Sequence, residues 1–222
     1  MFTTHIIKNI QGTHPEARRK AKRIRSALDY INVYQLNGQI ERERIYRAYA
    51  VLVEYGEDYL NVPVTFRNED VAIWGVRQKG YYLRETPVEA KTYDVCLAAV
   101  RTEGQMLQEV PKTLRDLPMC WAAIENDGWA LNFTPEHLKT ETLCKVAVDN
   151  CAAALKAVPT NLRTGELCLG AVQRDPNQMV CVFGKEKRAF VLRHLTERQR
   201  QSVQFIQNRI GHNNPKPKMG QR

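Results

Sequence analysis

Between residues 46 and 189, apolar and small side chains recur on a fixed 24-residue frame. Pro63, Pro87, Pro111, Pro135 and Pro159 keep that step, as do Gly56, Gly80, Gly104 and Gly128. Cys96, Cys120, Cys144 and Cys168 form a third column, and Leu52, Val76, Val100, Ile124, Val148 and Val172 a fourth. Leu83, Leu107, Leu131, Leu155 and Met179 make a fifth. Independent columns agreeing on one period are the signature of a repeat architecture. Cut at this step, six ungapped units run 46–69, 70–93, 94–117, 118–141, 142–165 and 166–189.

The unit 118–141, PMCWAAIENDGWALNFTPEHLKTE, shows what each copy predicts. Met119, Cys120, Ala123 and Ile124 stand at i, i+1, i+4 and i+5, one stripe of an α-helix about ten residues long. Gly128 stands where that helix should stop in the left-handed conformation. Leu131 then points inward from a short turn. Thr134-Pro135-Glu136 reads as an N-cap, a proline at the first helical position and an acidic first turn of a second, shorter helix ending near Leu138. Thr140 is placed to cap the next long helix. Neither helix can bury its stripe alone, so stacking of neighbours must supply the core. The small column Gly75, Ala99, Ala123, Ala147 and Ala171 lets neighbouring elements approach closely. The expected fold is all-α: an α-solenoid of six helix–short-helix repeats with helical caps at both ends.

The flanks predict those caps. Residues 1–45 read as a basic N-terminal helical cap, with Ile24, Leu28 and Ile31 as its docking stripe and Leu36-Asn37-Gly38 as the turn to a second helix starting at Gln39. Residues 46–189 are the array. Residues 190–210 read as one capping helix, with Thr196 as N-cap and Val203, Ile206 and Ile210 as stripe, ended by Gly211. Residues 211–222 lack apolar periodicity and read as a disordered tail.

Charge sharpens this division. The chain of 222 residues carries a formal net charge of +9. Residues 70–189 hold fifteen basic and fifteen acidic side chains, whereas residues 1–50 hold ten against four and 190–222 seven against one. A basic end serves phosphate contacts or an acidic protein, or is a solvated helix face. No apolar run approaches the length of a membrane span, and the first residues lack a secretory h-region, so a cytoplasmic protein without membrane contact is expected.

Candidate chemistry is sparse. Nucleotide-binding glycine loops, the nucleophile elbow and the H-E-x-x-H zinc motif are all missing. His137 beside Glu136, and Glu125 near Asp127, read as solvated side chains at helix ends. The columnar cysteines fall one per unit, as small apolar residues, without the paired spacing of a metal site. The expectation is no enzyme, no catalytic or metal-binding residue and no cofactor.

The partner-binding candidates are Arg18, Arg19, Lys20, Lys22, Arg23 and Arg25 in the N-terminal cap, with Arg77, Lys79, Tyr81, Arg101 and Trp129 in the array. Tyr81 and Trp129 share a unit position and would form an aromatic ridge beside the cations if exposed, able to stack bases or anchor a protein.

The units A-V-x-x-x-G at 99–104 and A-I-x-x-x-G-W-A-L at 123–131 resemble an uncharacterised bacterial tandem-repeat family whose units read V-L-x-A-V-x-x-x-G-x-A-L before a capped short helix. The likeness covers about 70–165, and the copy 142–165 departs from it at Ala152. The resemblance implies an α-helical repeat fold in a domain of unknown function, found in bacterial proteins that include mobile-element cargo and effectors. It brings no catalytic residue and no ligand. A weaker likeness to leucine-rich-variant repeats rests on the repeat length alone.

The functional expectation is a monomeric, non-catalytic solenoid that binds another protein or a nucleoprotein, as an inhibitor or effector would. Nucleic acid bound through the basic N-terminal helix is the alternative.

Overall fold

The structure, a computed structural model, describes residues 15–37 and 42–213. Every regular element among them is helical, and elements pack on their sequence neighbours in an all-α, solenoid-like fold. The chain divides into two compact units, Met1–Asn126 and Asp127–Arg222.

In the first unit, α1 (Pro15–Asn37) and α2 (Arg42–Glu54) precede α3 (Glu69–Gln78), α4 (Tyr93–Thr102) and α5 (Leu117–Asn126), each packing on the next. In the second, α6 (Glu141–Asn150), α7 (Gly165–Arg174) and α8 (Lys185–His194) pack likewise, and α9 (Glu197–Asn213) lies against the segment Pro176–Cys181. Helices α3 to α7 are each ten residues long and start 24 residues apart.

Their buried stripe is the one the columns predict. Val95, Cys96, Ala99 and Val100 of α4 are fully buried, and so are Met119, Cys120, Ala123 and Ile124 of α5 and Leu143, Cys144, Ala147 and Val148 of α6. A polar residue opens each helix at the same step. The side chains of Asn68, Thr92, Asp116, Thr140 and Thr164 accept from the backbone N–H three residues on, satisfying a donor that the helix leaves without a partner.

The helices end differently from the expectation. Gly80, Gly104 and Gly128 do not adopt the left-handed conformation; among the described residues those with positive φ are Gly56 and Gly184. Lys79, Glu103 and Cys151 leave the helix in extended conformation, with φ −147°, −141° and −139°. The glycine then opens a six-residue 3-10 helix: Gly80–Glu85, Gly104–Glu109 and Gly128–Phe133, with Ala152–Ala157 and Pro176–Cys181 in the later copies. With three residues per turn, positions i and i+3 eclipse, which turns the glycine and leucine columns to the same inward side. The glycine is needed because a side chain would collide with the next copy. A Cβ on Gly80 would lie 2.8 Å from the Ala99 carbonyl oxygen, and one on Gly128 2.1 Å from that of Ala147. Gly56 alone of its column behaves as first expected, closing α2 at φ 107° while Glu57 donates back to the Leu52 carbonyl over 2.9 Å.

The proline column is also displaced from its expected role. Pro63, Pro87, Pro111 and Pro135 are N-cap residues, not first helical residues, and each introduces only a three-residue 3-10 turn. Thr134 closes the preceding 3-10 helix, its buried hydroxyl donating to the Ala130 carbonyl. The expected short turn carrying Leu131 is therefore a six-residue 3-10 helix, and the expected short helix a three-residue 3-10 turn.

A further column binds copy to copy. Arg67, Lys91, Arg115, Lys139 and Arg163 keep the same 24-residue step. Nε of Arg67, Arg115 and Arg163 donates to the carbonyl five residues back, at 2.8–2.9 Å. Nη1 of Arg67 reaches the Glu85 carbonyl of the following copy at 2.9 Å, and Nη1 of Arg163 reaches Cys181 at 3.1 Å. Lys139 Nζ reaches Ala157 at 3.0 Å. These cations satisfy carbonyl oxygens that a 3-10 helix end leaves open.

At the C-terminal end, the expected single helix 190–210 is two, α8 and α9, separated at Leu195 and Thr196. Gly211 does not stop α9, which continues to Asn213. At the other end, Leu36 and Asn37 still belong to α1. The expected turn residue Gly38, the start of the second helix at Gln39 and the tail 214–222 lie outside the described residues.

Candidate functional site

The six cations of α1 fall into two groups. Ile24, Ala27 and Ile31 form the buried face of the helix. Lys20 and Arg23 lean towards α2, each 5.2 Å from the Tyr55 ring centre, and Arg23 also donates to the Tyr55 hydroxyl and pairs with Glu54 at 3.4 Å. Arg18, Arg19, Lys22 and Arg25 are exposed. Lys22 and Arg23 line one side of a cleft of about 560 Å³ between α1 and α2, with Ser26, Ala27 and Tyr30; Arg44, Arg47, Ala48 and Val51 line the other.

The array cations separate as well. Arg77 and Arg101, at equal positions of α3 and α4, meet in a groove of about 460 Å³. Its walls are banded. Glu69, Asp70 and Asp94 stand at the helix starts, Ile73, Leu97 and Ala98 in the middle, and Arg77 and Arg101 in the last turns. Acids at N-termini and cations at C-termini each complement the helix dipole, so equal helices side by side bring like charges into rows. The Arg77 guanidinium lies 5.0 Å from the Trp74 ring centre, and Thr92 donates to Glu69 over 3.0 Å, which fixes one acid of the opposite row.

Lys79 and Tyr81 do not join this groove. Lys79 sits 5.5 Å from the Tyr82 ring centre, and Tyr81 packs on the same ring at 4.6 Å. Tyr82 donates its hydroxyl to Asp58 at 2.8 Å. Burial, together with that carboxylate and Tyr81, raises the Tyr82 phenol well above its ordinary range. Tyr81 is 37% exposed, whereas Trp129 is half-buried in the other compact unit.

The thiols are placed as packing groups. Cys96, Cys120, Cys144 and Cys168 are fully buried. Burial pushes Cys96 and Cys144 up to about 11 and raises Cys168. Among the described residues, no group of three or more His, Cys, Asp or Glu side chains could hold a metal ion, and no helix is long and apolar enough to cross a membrane. Sequence reasoning missed the contribution of α2 to the cleft, although Arg44, Arg47, Ala48 and Val51 recur at the three-to-four spacing of one helix face.

Residues 92–139 match a family described as a domain of unknown function (DUF4116). The matched stretch is 48 residues, two periods of the chain's own 24-residue step. No curated protein and no solved structure matches the chain.

Proposed function

We propose that this chain is a non-catalytic binding protein whose exposed long-helix faces grip another protein, free or within a nucleoprotein, with the α3/α4 groove as the principal contact. One observation carries this reading: Arg77 and Arg101 stand side by side above the apolar strip Ile73, Leu97 and Ala98, with Glu69, Asp70 and Asp94 opposite. A partner segment with apolar side chains in the middle, carboxylates on one edge and amines on the other would be complementary throughout. Repeat arrays commonly bind through such surfaces, because each copy adds the same row of side chains. We also propose that the uncharacterised family is built from the 24-residue unit seen here.

The test is capture from lysate by the full chain and by an Arg77→Glu, Arg101→Glu double variant, both after nuclease treatment. Partner proteins held by the wild type and lost at least tenfold by the variant support the groove. Equal capture by the two proteins, with thermal unfolding showing the variant folded, overturns it.

A further inference from the structure

The cleft between α1 and α2 is chemically unlike the α3/α4 groove. Its rim is Lys22 and Arg23 on one side and Arg44 and Arg47 on the other, and among the described residues no carboxylate lines it. Two acids approach the rim cations: Glu54 pairs with Arg23 over 3.4 Å, and Glu43 stands 4.0 Å from Arg47 with both side chains largely in solvent. The floor is Ala27, Ala48 and Val51, and Tyr30, 45% exposed, stands at one end. Beyond the cleft the same helix continues the positive field through Arg18, Arg19 and Arg25, all exposed.

We propose that this cleft binds single-stranded nucleic acid, with phosphates on the four rim cations and a base stacked on Tyr30. Planar guanidinium groups suit phosphate oxygens, and an exposed aromatic beside them offers a stacking face that every base can use. A floor of two alanines and a valine admits a flat ring lying along it. An acidic peptide is the poorer fit. Its backbone N–H groups would find no carboxylate acceptor in the cleft, and its charges would not continue along α1 as a phosphodiester chain does. A duplex is poorer still, since its bases are already stacked and Tyr30 would contribute nothing.

The experiment is fluorescence anisotropy on the full chain with labelled mixed-sequence single strands of RNA and of DNA, a duplex of equal length and a poly-glutamate peptide, across a salt series. Single strands should bind, with a log–log salt slope near −3 for four phosphates at about −0.7 each. Lys22→Glu with Arg47→Glu should weaken binding by tenfold or more and flatten the slope. Tyr30→Ala should weaken it roughly tenfold and leave the slope unchanged, the mark of lost stacking. Arg77→Glu with Arg101→Glu should have no effect, which keeps this site separate from the groove. Absence of single-strand binding, equal affinity for the duplex or poly-glutamate, or an indifferent Tyr30→Ala variant would each overturn the proposal.

Discussion

Gly128 and Ala147 touch through their backbones: a Cβ built on Gly128 would lie 2.1 Å from the Ala147 carbonyl oxygen, 3.0 Å from its carbonyl carbon and 3.0 Å from the Cys151 nitrogen. None of these atoms belongs to a side chain that could rotate away. Gly128→Ala must therefore push the 3-10 segment away from α6. Forced overpacking of this kind costs about 1–3 kcal/mol. Gly170 is the control. It lies inside α7, and an added Cβ would meet only the tip of Arg174 at 3.9 Å. Gly170→Ala should stabilise by about 0.5–1 kcal/mol through helix propensity and a less flexible unfolded chain. Urea unfolding of the two variants should move in opposite directions from the wild type; equal shifts would show that the contact is not felt.

The same glycine shows how much the sequence discloses. Its column is plain in the 24-residue frame, and so are the packing of Ala123 and Ile124 and the cap at Thr140. Its reason is not. A glycine after a ten-residue stripe fits a left-handed helix stop as well as a close approach, and only the position of the neighbouring helix separates the two. Ala152 shows the limit of the rule: it fills the same place, half-buried, in the next copy. Arg67 and its column were equally visible, but a cation every 24 residues reads as surface charge until the carbonyls it serves are in place. The α3/α4 groove was legible only in part. Arg77 and Arg101 share a position one period apart, but whether equal positions meet depends on how neighbouring helices stack.

Arg67 gives the second prediction. Its guanidinium donates to the carbonyls of Val62 at 2.9 Å, Glu85 at 2.9 Å and Leu60 at 3.1 Å, and lies 5.0 Å from the Tyr59 ring centre. The residue is only 8% exposed. Arg67→Met keeps the stem and strands three acceptors, at a cost of about 2–4 kcal/mol given that bonds from a charged donor contribute about 1.5–3 each and do not add fully. Arg67→Lys should recover part of this. Lys91 and Lys139 hold the same place in other copies, each donating to one carbonyl of the following copy, at 3.4 Å and 3.0 Å. The urea midpoints should fall in the order wild type, Lys, Met. A Met variant as stable as wild type would mean that water replaces the guanidinium at no cost.

The buried thiols give the third. Burial raises Cys96 and Cys144 to about 11 from an ordinary 9.0. A thiol ionises by losing a proton, so a raised value means the folded chain holds that proton where the unfolded chain has released it. Between about pH 9 and pH 11 the unfolded state therefore binds fewer protons, and stability falls as pH rises, by up to about 1.4 kcal/mol per pH unit for each such thiol. Tyr59, raised first by burial, acts in the same direction at higher pH. Below pH 8 this contribution is constant and the stability curve should be flat with respect to these groups. The same burial controls reactivity, because the thiolate is the nucleophile. At pH 8 a disulfide reagent should modify half-buried Cys151 first and leave Cys96 and Cys144 untouched until denaturant is added. Fast labelling of Cys96 or Cys144 in the native chain, located by mass spectrometry, would show that the cysteine column is not a sealed core, and stability that rises from pH 9 to 11 would show that burial does not hold these thiols protonated.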